Sequence, residues 1–152
     1  MGKLKFIHLS DTHLGAADLD LLTDDGANVR ELDIYDAFKR SVDLILKEKP
    51  YFVLHTGDIF HRSSPSNRAM VEAATQIQRI IDAGIKFYMI AGNHDFPKSV
   101  FTSPIHDLLK IVIGCHIFYN EEYSTFNGEG FILHLLPHIN SESKFIEETA
   151  KI

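Results

Sequence analysis

The segment YFVLHTGDIFH, residues 51–61, sets the expectation for the fold. It opens with an almost continuous apolar run and then reaches a glycine and an aspartate, Gly57 and Asp58. Apolar residues at successive positions, rather than at alternate ones, are typical of a strand that is covered on both faces. Glycine lets the chain turn tightly after the strand and aim the next side chain. We therefore predict a buried strand followed by a loop that carries polar groups.

The same order of apolar run, polar loop and helix occurs on both sides of this segment. Apolar runs cover residues 4–9 and 85–91, and each is followed by a polar loop. Helical periodicity covers residues 35–46 and residues 70–81, with Asn67 as the expected N-cap of the second helix. Alternation of strands and helices predicts a parallel sheet with right-handed crossovers. The expected fold class is therefore α/β, with a mostly parallel sheet and helices.

The pattern changes in the last third of the chain. Ser103 and Pro104 can open a short helix, and a final helix is expected over residues 141–151 with Phe145, Ile146 and Thr149 on its inner side. Between these helices, apolar runs separated by turn signals indicate antiparallel strands of a second sheet. These predicted strands are Ile117–Tyr119, Tyr123–Phe126 and Phe131–Leu136.

Composition narrows the class of protein. The chain has 152 residues, of which 45% are hydrophobic and 24% are charged, as in a soluble globular domain. Its formal charge of −6 argues against a broad basic surface that coats nucleic acid. No apolar run approaches the roughly 20 residues that span a bilayer, so we expect no membrane attachment. Cys115 is the only cysteine, which fits a reducing compartment and predicts a cytoplasmic protein.

Three polar loops follow the three predicted parallel strands. They carry Asp11 and His13, then Asp58, then Asn93. The carboxyl ends of parallel strands meet at one edge of the sheet, where ligands bind in open α/β folds. Carboxylate, imidazole and amide groups together suit a divalent transition metal, and a carboxylate can bridge two cations. Each motif alone is also typical of a turn or a helix cap, but three in order after buried strands favour a metal site.

These motifs carry a family resemblance. The set Asp11-Thr12-His13, Gly57-Asp58 and Gly92-Asn93-His94-Asp95 resembles the calcineurin-like metallophosphoesterase superfamily. With Leu14-Gly15 and the continuation through Ile59-Phe60-His61 to Ser64-Pro65-Ser66, it is similar to the SbcD-like nucleases of DNA double-strand-break repair. The resemblance implies an incomplete four-layer α/β/β/α sandwich. It also implies hydrolysis of a DNA phosphodiester by a water molecule that two divalent metal ions activate.

The resemblance further implies roles for the metal ligands. Asp11 and His13 would bind the first metal ion, Asp58 would bridge both, and Asn93 would bind the second. Such sites typically hold manganese in this family, so the expected cofactors are two Mn²⁺ ions. Binding two cations would lower the pKa of the attacking water and neutralise developing charge.

Catalytic roles and partners are implied in the same way. His94 would stabilise the pentavalent phosphate or protonate the leaving oxygen, and Asp95 would orient it. His61 resembles the family histidine that positions the strand to be cut. The family acts on DNA and works with an SMC-like ATPase, so both are expected partners.

The sequence also departs from the family pattern. The family continues with three further histidines, two of them in a Gly-His-x-His motif, and none is recognisable here. His134 and His138 are interpreted as structural. We therefore expect residues 1–152 to form a metallophosphoesterase domain that is cut off on its C-terminal side, with weak metal binding and little activity. The alternatives are a phosphoesterase acting on small phosphodiesters or phosphoproteins, and an inactive fragment that acts as a binding module.

A half-built second sheet has a consequence for association. It would leave an apolar face and an unpaired strand edge, and such edges recruit another chain. We therefore expect a homodimer or other self-association through residues of about 115–140.

Overall fold

The parallel sheet predicted from the sequence is confirmed. A computed structural model describes residues 4–95 and 105–152 of the chain. Four parallel strands lie in the order β1-β2-β3-β4, and two further strands form an antiparallel hairpin. The elements in chain order are β1 Phe6–Leu9, α1 Val29–Glu48, β2 Phe52–His55, α2 Asn67–Asp82, β3 Lys86–Ile90, α3 Ile105–Ile113, β4 His116–Phe118, β5 Ser124–Gly128, β6 Phe131–Leu135 and α4 Glu142–Thr149.

The two long helices begin at side-chain caps. The Asn28 side chain accepts a hydrogen bond from the backbone N–H of Glu31 at the start of α1. At the start of α2 the cap is Ser66 and not Asn67 as predicted, because the Ser66 hydroxyl accepts from Ala69 N at 3.1 Å. Both caps satisfy backbone donors that the first turn of a helix leaves unpaired. The cap therefore lies one residue earlier than predicted, and the predicted helix itself is confirmed.

The first strand predicted for the second sheet belongs to the parallel sheet instead. Residues of β4 pair in parallel with β3, with Tyr88 opposite His116 and Ile90 opposite Phe118. Helix α3 provides the crossover, and Ile117 packs into the core that the helices cover. The prediction was wrong because a three-residue strand after a nine-residue helix gives a weak signal in the sequence. Ser103 and Pro104, the predicted start of this helix, lie outside the described residues.

The hairpin β5–β6 covers one face of the parallel sheet with aromatic side chains. The Phe131 ring lies 4.5 Å from the Phe52 ring, and the Phe126 ring lies 4.8 Å from the Tyr88 ring, between centroids. On the other face, Val53 and Phe87 pack in the same core as residues of the helices. Because strand side chains alternate between faces, the central strands β2 and β3 are buried on both sides, while β1 at the edge stays partly exposed. This layering agrees with the expected metallophosphoesterase sandwich.

The last helix does not pack as predicted. Phe145 and Ile146 of α4 are exposed, with 46% and 62% of their surface accessible, although an inner position was expected for both. Glu148 is buried in their place, and its carboxylate accepts from Tyr123 N at 2.8 Å and from Lys151 Nζ at 2.6 Å. A charged anchor therefore holds this helix, which an apolar pattern could not reveal. None of the helices described here combines the length and apolarity that crossing a membrane requires.

Candidate metal centre

The first two loops run side by side beyond the ends of their strands. Asp11 N donates to Gly57 O at 3.1 Å, His13 N donates to Asp58 O at 3.0 Å, and Leu14 N donates to Ile59 O at 2.8 Å. These hydrogen bonds continue the parallel pairing of β1 and β2 into the loops. They fix the relative positions of Asp11, His13 and Asp58 before any side-chain contact is considered.

The same three residues have an uncommon backbone conformation. Asp11, His13 and Asp58 have φ angles of 53°, 49° and 55°, in the left-handed region. Residues other than glycine rarely adopt this region, and it costs roughly 1–2 kcal/mol for each of them. Strain of this kind persists where surrounding contacts hold it, and it is concentrated at functional sites. The backbone is therefore held in the conformation that directs these side chains toward one another.

The third loop approaches the second loop closely at two glycines. A Cβ on Gly57 would lie 2.6 Å from Gly92 N, and a Cβ on Gly92 would lie 2.6 Å from Asp58 N and closer still to the Asp58 carboxylate. Glycine is therefore required on both sides of this contact. It allows the third loop to reach the Asp58 side chain.

We expect Gly92→Ala to lower the free energy of unfolding by about 3 kcal/mol, as overpacking in a tight contact does. The added methyl group would have to displace the Asp58 backbone and carboxylate. A suitable control is Gly26→Ala, where a Cβ meets nothing within 4 Å and only the φ of 82° is unfavourable. Chemical denaturation measures both variants. Equal losses of unfolding free energy in the two variants would show that the second and third loops can move apart without loss of stability.

Three of the four predicted metal ligands converge. The ligand atoms of Asp11, His13 and Asp58 all lie within 4.8 Å of one another, and His13 Nε2 is 3.8 Å from Asp11 Oδ1. Asp58 is buried, and its Oδ1 accepts from His94 N at 2.8 Å. Two carboxylates and one imidazole form a donor set that fits a divalent cation. Asn93 lies exposed in the turn before His94, and its participation stays a prediction.

A second cluster contains imidazole rings only. The ligand atoms of His13, His61 and His94 also lie within 4.8 Å of one another, and the ring centroids are 4.9 to 5.5 Å apart. The sequence reasoning gave these residues separate roles and missed the cluster. The available signal was their spacing, since each histidine follows the predicted metal ligand of its own loop by one to three positions. His13 belongs to both clusters, so the histidine cluster adjoins the carboxylate site.

The structure gives Asp95 a different partner from the one expected. Its Oδ2 accepts from Asp58 N at 2.6 Å and from Gly92 N at 2.9 Å, so the carboxylate fastens the second loop to the third. The His94 ring is held by the backbone, because its Nδ1 donates to the His61 carbonyl oxygen at 2.7 Å. Burial raises the pKa of Asp95 to about 6, and its hydrogen bonds from the backbone oppose that effect.

Two buried histidines lie behind the loops. His55 Nε2 is 2.7 Å from Thr12 Oγ1, and His106 Nε2 is 3.8 Å from Asp95 Oδ2. Among the described residues, neither ring nitrogen of His106 has a hydrogen-bond partner. Burial lowers the pKa of His55 to about 3 and that of His106 to about 4. Both rings are therefore neutral in the folded protein at neutral pH. His8, on β1, is by contrast exposed.

Protonation of these histidines should destabilise the fold in acid. A folded-state pKa below the unfolded value means that the stability is present above about pH 6.5 and is lost as the pH falls toward 4. We expect His106→Phe to reduce this loss by about 1.4 kcal/mol per pH unit relative to the native chain. Denaturation of both proteins between pH 6 and 4 measures the difference. Identical pH profiles would show that His106 does not titrate on unfolding.

Comparison with known proteins identifies the family of the chain. The family model described as calcineurin-like phosphoesterase matches residues 4–149. The chain is 35% identical over 144 residues to the DNA double-strand break repair protein Mre11 of Saccharolobus solfataricus, which covers 94% of the chain and 35% of that protein. It is 33% identical over 157 residues to Mre11 of Methanococcus maripaludis, with 93% and 41% covered.

A shorter match has higher identity. The chain is 41% identical over 98 residues to Mre11 of Sulfurisphaera tokodaii, which covers 64% of the chain and 24% of that protein. The chain thus spans between about a quarter and two fifths of the length of these relatives.

Proposed function

The chain belongs to the calcineurin-like phosphoesterase family, and on that premise we propose that it is a metal-dependent DNA nuclease of the double-strand-break repair type. The convergence of Asp11, His13 and Asp58 carries the proposal, because it supplies carboxylate and imidazole ligands at one sheet edge. The similarity to proteins described as DNA double-strand break repair protein Mre11 supports DNA as the substrate.

In this proposal, the metal ligands come from all three loops. Asp11 and His13 would hold one cation, Asp58 would be shared, and Asn93 would hold the second. We propose Mn²⁺ for both positions. When bound, the cations would supply an activated water and would neutralise charge on the phosphate.

The chain's own residues have distinct tasks in this proposal. His94 uses Nδ1 to donate to the His61 carbonyl, so Nε2 is the atom available to contact a phosphate oxygen or to protonate a leaving oxygen. His61 stands beside it and would position the strand. A groove of about 370 Å³ lies beside the segments that follow the first and the second loop. Gly15, Arg62 and Ser64 are among the residues that line it. Within residues 4–95 and 105–152 no ion pair holds the Arg62 guanidinium, which therefore can contact phosphate.

The decisive experiment compares two substrates with Mn²⁺ and without it. Duplex DNA and bis(p-nitrophenyl) phosphate are incubated with the chain and with a His94→Ala variant. We expect slow, Mn²⁺-dependent cleavage of DNA that the variant lacks. Cleavage of the nitrophenyl ester alone would favour the alternative of a phosphoesterase for small substrates. Binding of Mn²⁺ without hydrolysis of either would favour the alternative of a binding module.

Association is part of the proposal. An SMC-like ATPase is the partner that the family resemblance suggests for the whole protein. In the described residues, β5 and β6 each pair only with the other, and Ile132 of the hairpin is 59% exposed. We expect this hairpin to mediate self-association. Light scattering should give a mass above that of one chain at high concentration, and Ile132→Lys should reduce it. A single-chain mass at every concentration would contradict this.

A further inference from the structure

The cluster of His13, His61 and His94 offers a cation site of different chemistry from the carboxylate site. Its ligand atoms come from three loops and lie within 4.8 Å of one another. Each of the three side chains is half-buried, so each ring is already partly removed from water. Neutral imidazole is the form that binds a metal ion.

Contacts around the cluster favour the ligating form. The Nδ1 of His94 donates to the His61 carbonyl oxygen at 2.7 Å, which leaves the lone pair on Nε2. Histidines that bind metals almost always donate their other ring nitrogen in this way. The Oδ1 atom of Asp18 lies 3.6 Å from His61 Nε2, so a carboxylate is also present at the rim of the cluster. His13 Nδ1 is buried and has no hydrogen-bond partner within residues 4–95 and 105–152.

The donor type decides which ion suits the cluster. Three imidazole nitrogens at about 2.0–2.1 Å with an open fourth position form a site typical of Zn²⁺. Mn²⁺ prefers oxygen ligands, and nitrogen donors bind it more weakly than they bind Zn²⁺. We propose that His13, His61 and His94 bind one Zn²⁺ ion.

Binding of Zn²⁺ in this cluster would exclude Mn²⁺ from the adjacent site. A neutral imidazole has one acceptor nitrogen, so His13 cannot serve both ions. Zn²⁺ would also occupy the Nε2 of His94. On the basis of the proposed function, whose catalysis needs both residues, Zn²⁺ is therefore an inhibitor of hydrolysis with Mn²⁺. The binding step itself does not depend on that function.

Affinities for the two ions, measured separately, test the proposal. Zn²⁺ binding is measured by competition with a chromophoric chelator, and Mn²⁺ binding by calorimetry. We expect His61→Ala to weaken Zn²⁺ binding by more than about tenfold and to leave Mn²⁺ binding nearly unchanged, since only the Zn²⁺ site uses this ring. Asp58→Asn should have the opposite pattern. His134→Ala, at an exposed histidine on β6, is the control for unspecific binding by imidazole.

The outcomes separate this proposal from the proposed function. Zn²⁺ binding that falls in Asp58→Asn and not in His61→Ala would place Zn²⁺ in the carboxylate site and overturn the proposal. Mn²⁺-dependent DNA cleavage would stand in that case. Zn²⁺ binding that requires His61, in a chain that neither binds Mn²⁺ nor cleaves DNA, would support the histidine site and overturn the proposed nuclease. A His61 variant that also fails to bind Mn²⁺ is checked for folding by circular dichroism, and a folded one overturns the independence of the two sites.

Discussion

Replacing Asp58 by alanine is expected to weaken Mn²⁺ binding by more than about 100-fold and to remove any phosphodiester hydrolysis. In the proposed site, this carboxylate is the one ligand that both cations share. It is buried, and the backbone N–H of His94 already orients its Oδ1. Loss of the side chain therefore removes charge from both positions at once. The fold itself should lose only about 1 kcal/mol, since one hydrogen bond is broken.

Calorimetry of Mn²⁺ binding checks this prediction, with Asp36→Ala as the matched control. Asp36 is an exposed carboxylate on α1, outside both clusters of candidate ligands, and carries the same charge. The control should bind Mn²⁺ as the native chain does. Native-like affinity in Asp58→Ala would show that the cation is held elsewhere and would refute the assignment of the site.

The position of the site could be predicted because it follows from topology. Asp11 and Asp58 come after strands that read as buried and parallel, and parallel strands end at one sheet edge. No knowledge of side-chain packing was needed for that step. The predicted parallel order failed only at β4, where three residues carry too little pattern to distinguish a fourth parallel strand from the start of a second sheet. Long periodic segments are the ones that sequence reasoning reads well.

The details of the site could not be predicted because they depend on how far the loops approach each other. The family resemblance implied that Asp95 orients the neighbouring His94. In the structure, Gly57 and Gly92 bring the loops so close that Asp95 reaches backbone donors across the gap. The histidine cluster has the same origin, since its members are 33 positions or more apart in sequence and meet only after folding.

Asp95→Ala is expected to destabilise the fold by about 3–5 kcal/mol, more than any single loss of a metal ligand, because buried donors without a partner cost about 1–3 kcal/mol each. Asp95 is 1% exposed, and its side chain accepts from the amides of Asp58 and Gly92, both in the contact between loops. Phe60 N approaches its second oxygen at 3.5 Å. Water cannot easily replace an acceptor at this depth.

The comparison of Asp95→Ala with Asp58→Ala distinguishes a residue that holds the loops together from a residue that binds the cations. Both variants should lose Mn²⁺ binding, but only Asp95→Ala should lose most of its stability in chemical denaturation without metal. Asp95→Asn is the finer variant, since it keeps the shape and one acceptor oxygen but turns an NH₂ group toward a backbone donor. Its stability should lie between those of the native chain and Asp95→Ala. If Asp95→Ala unfolds at the same denaturant concentration as the native chain, the loops are held by their glycine contact and backbone pairing alone. Asp95 would then act on His94, as the family resemblance implies.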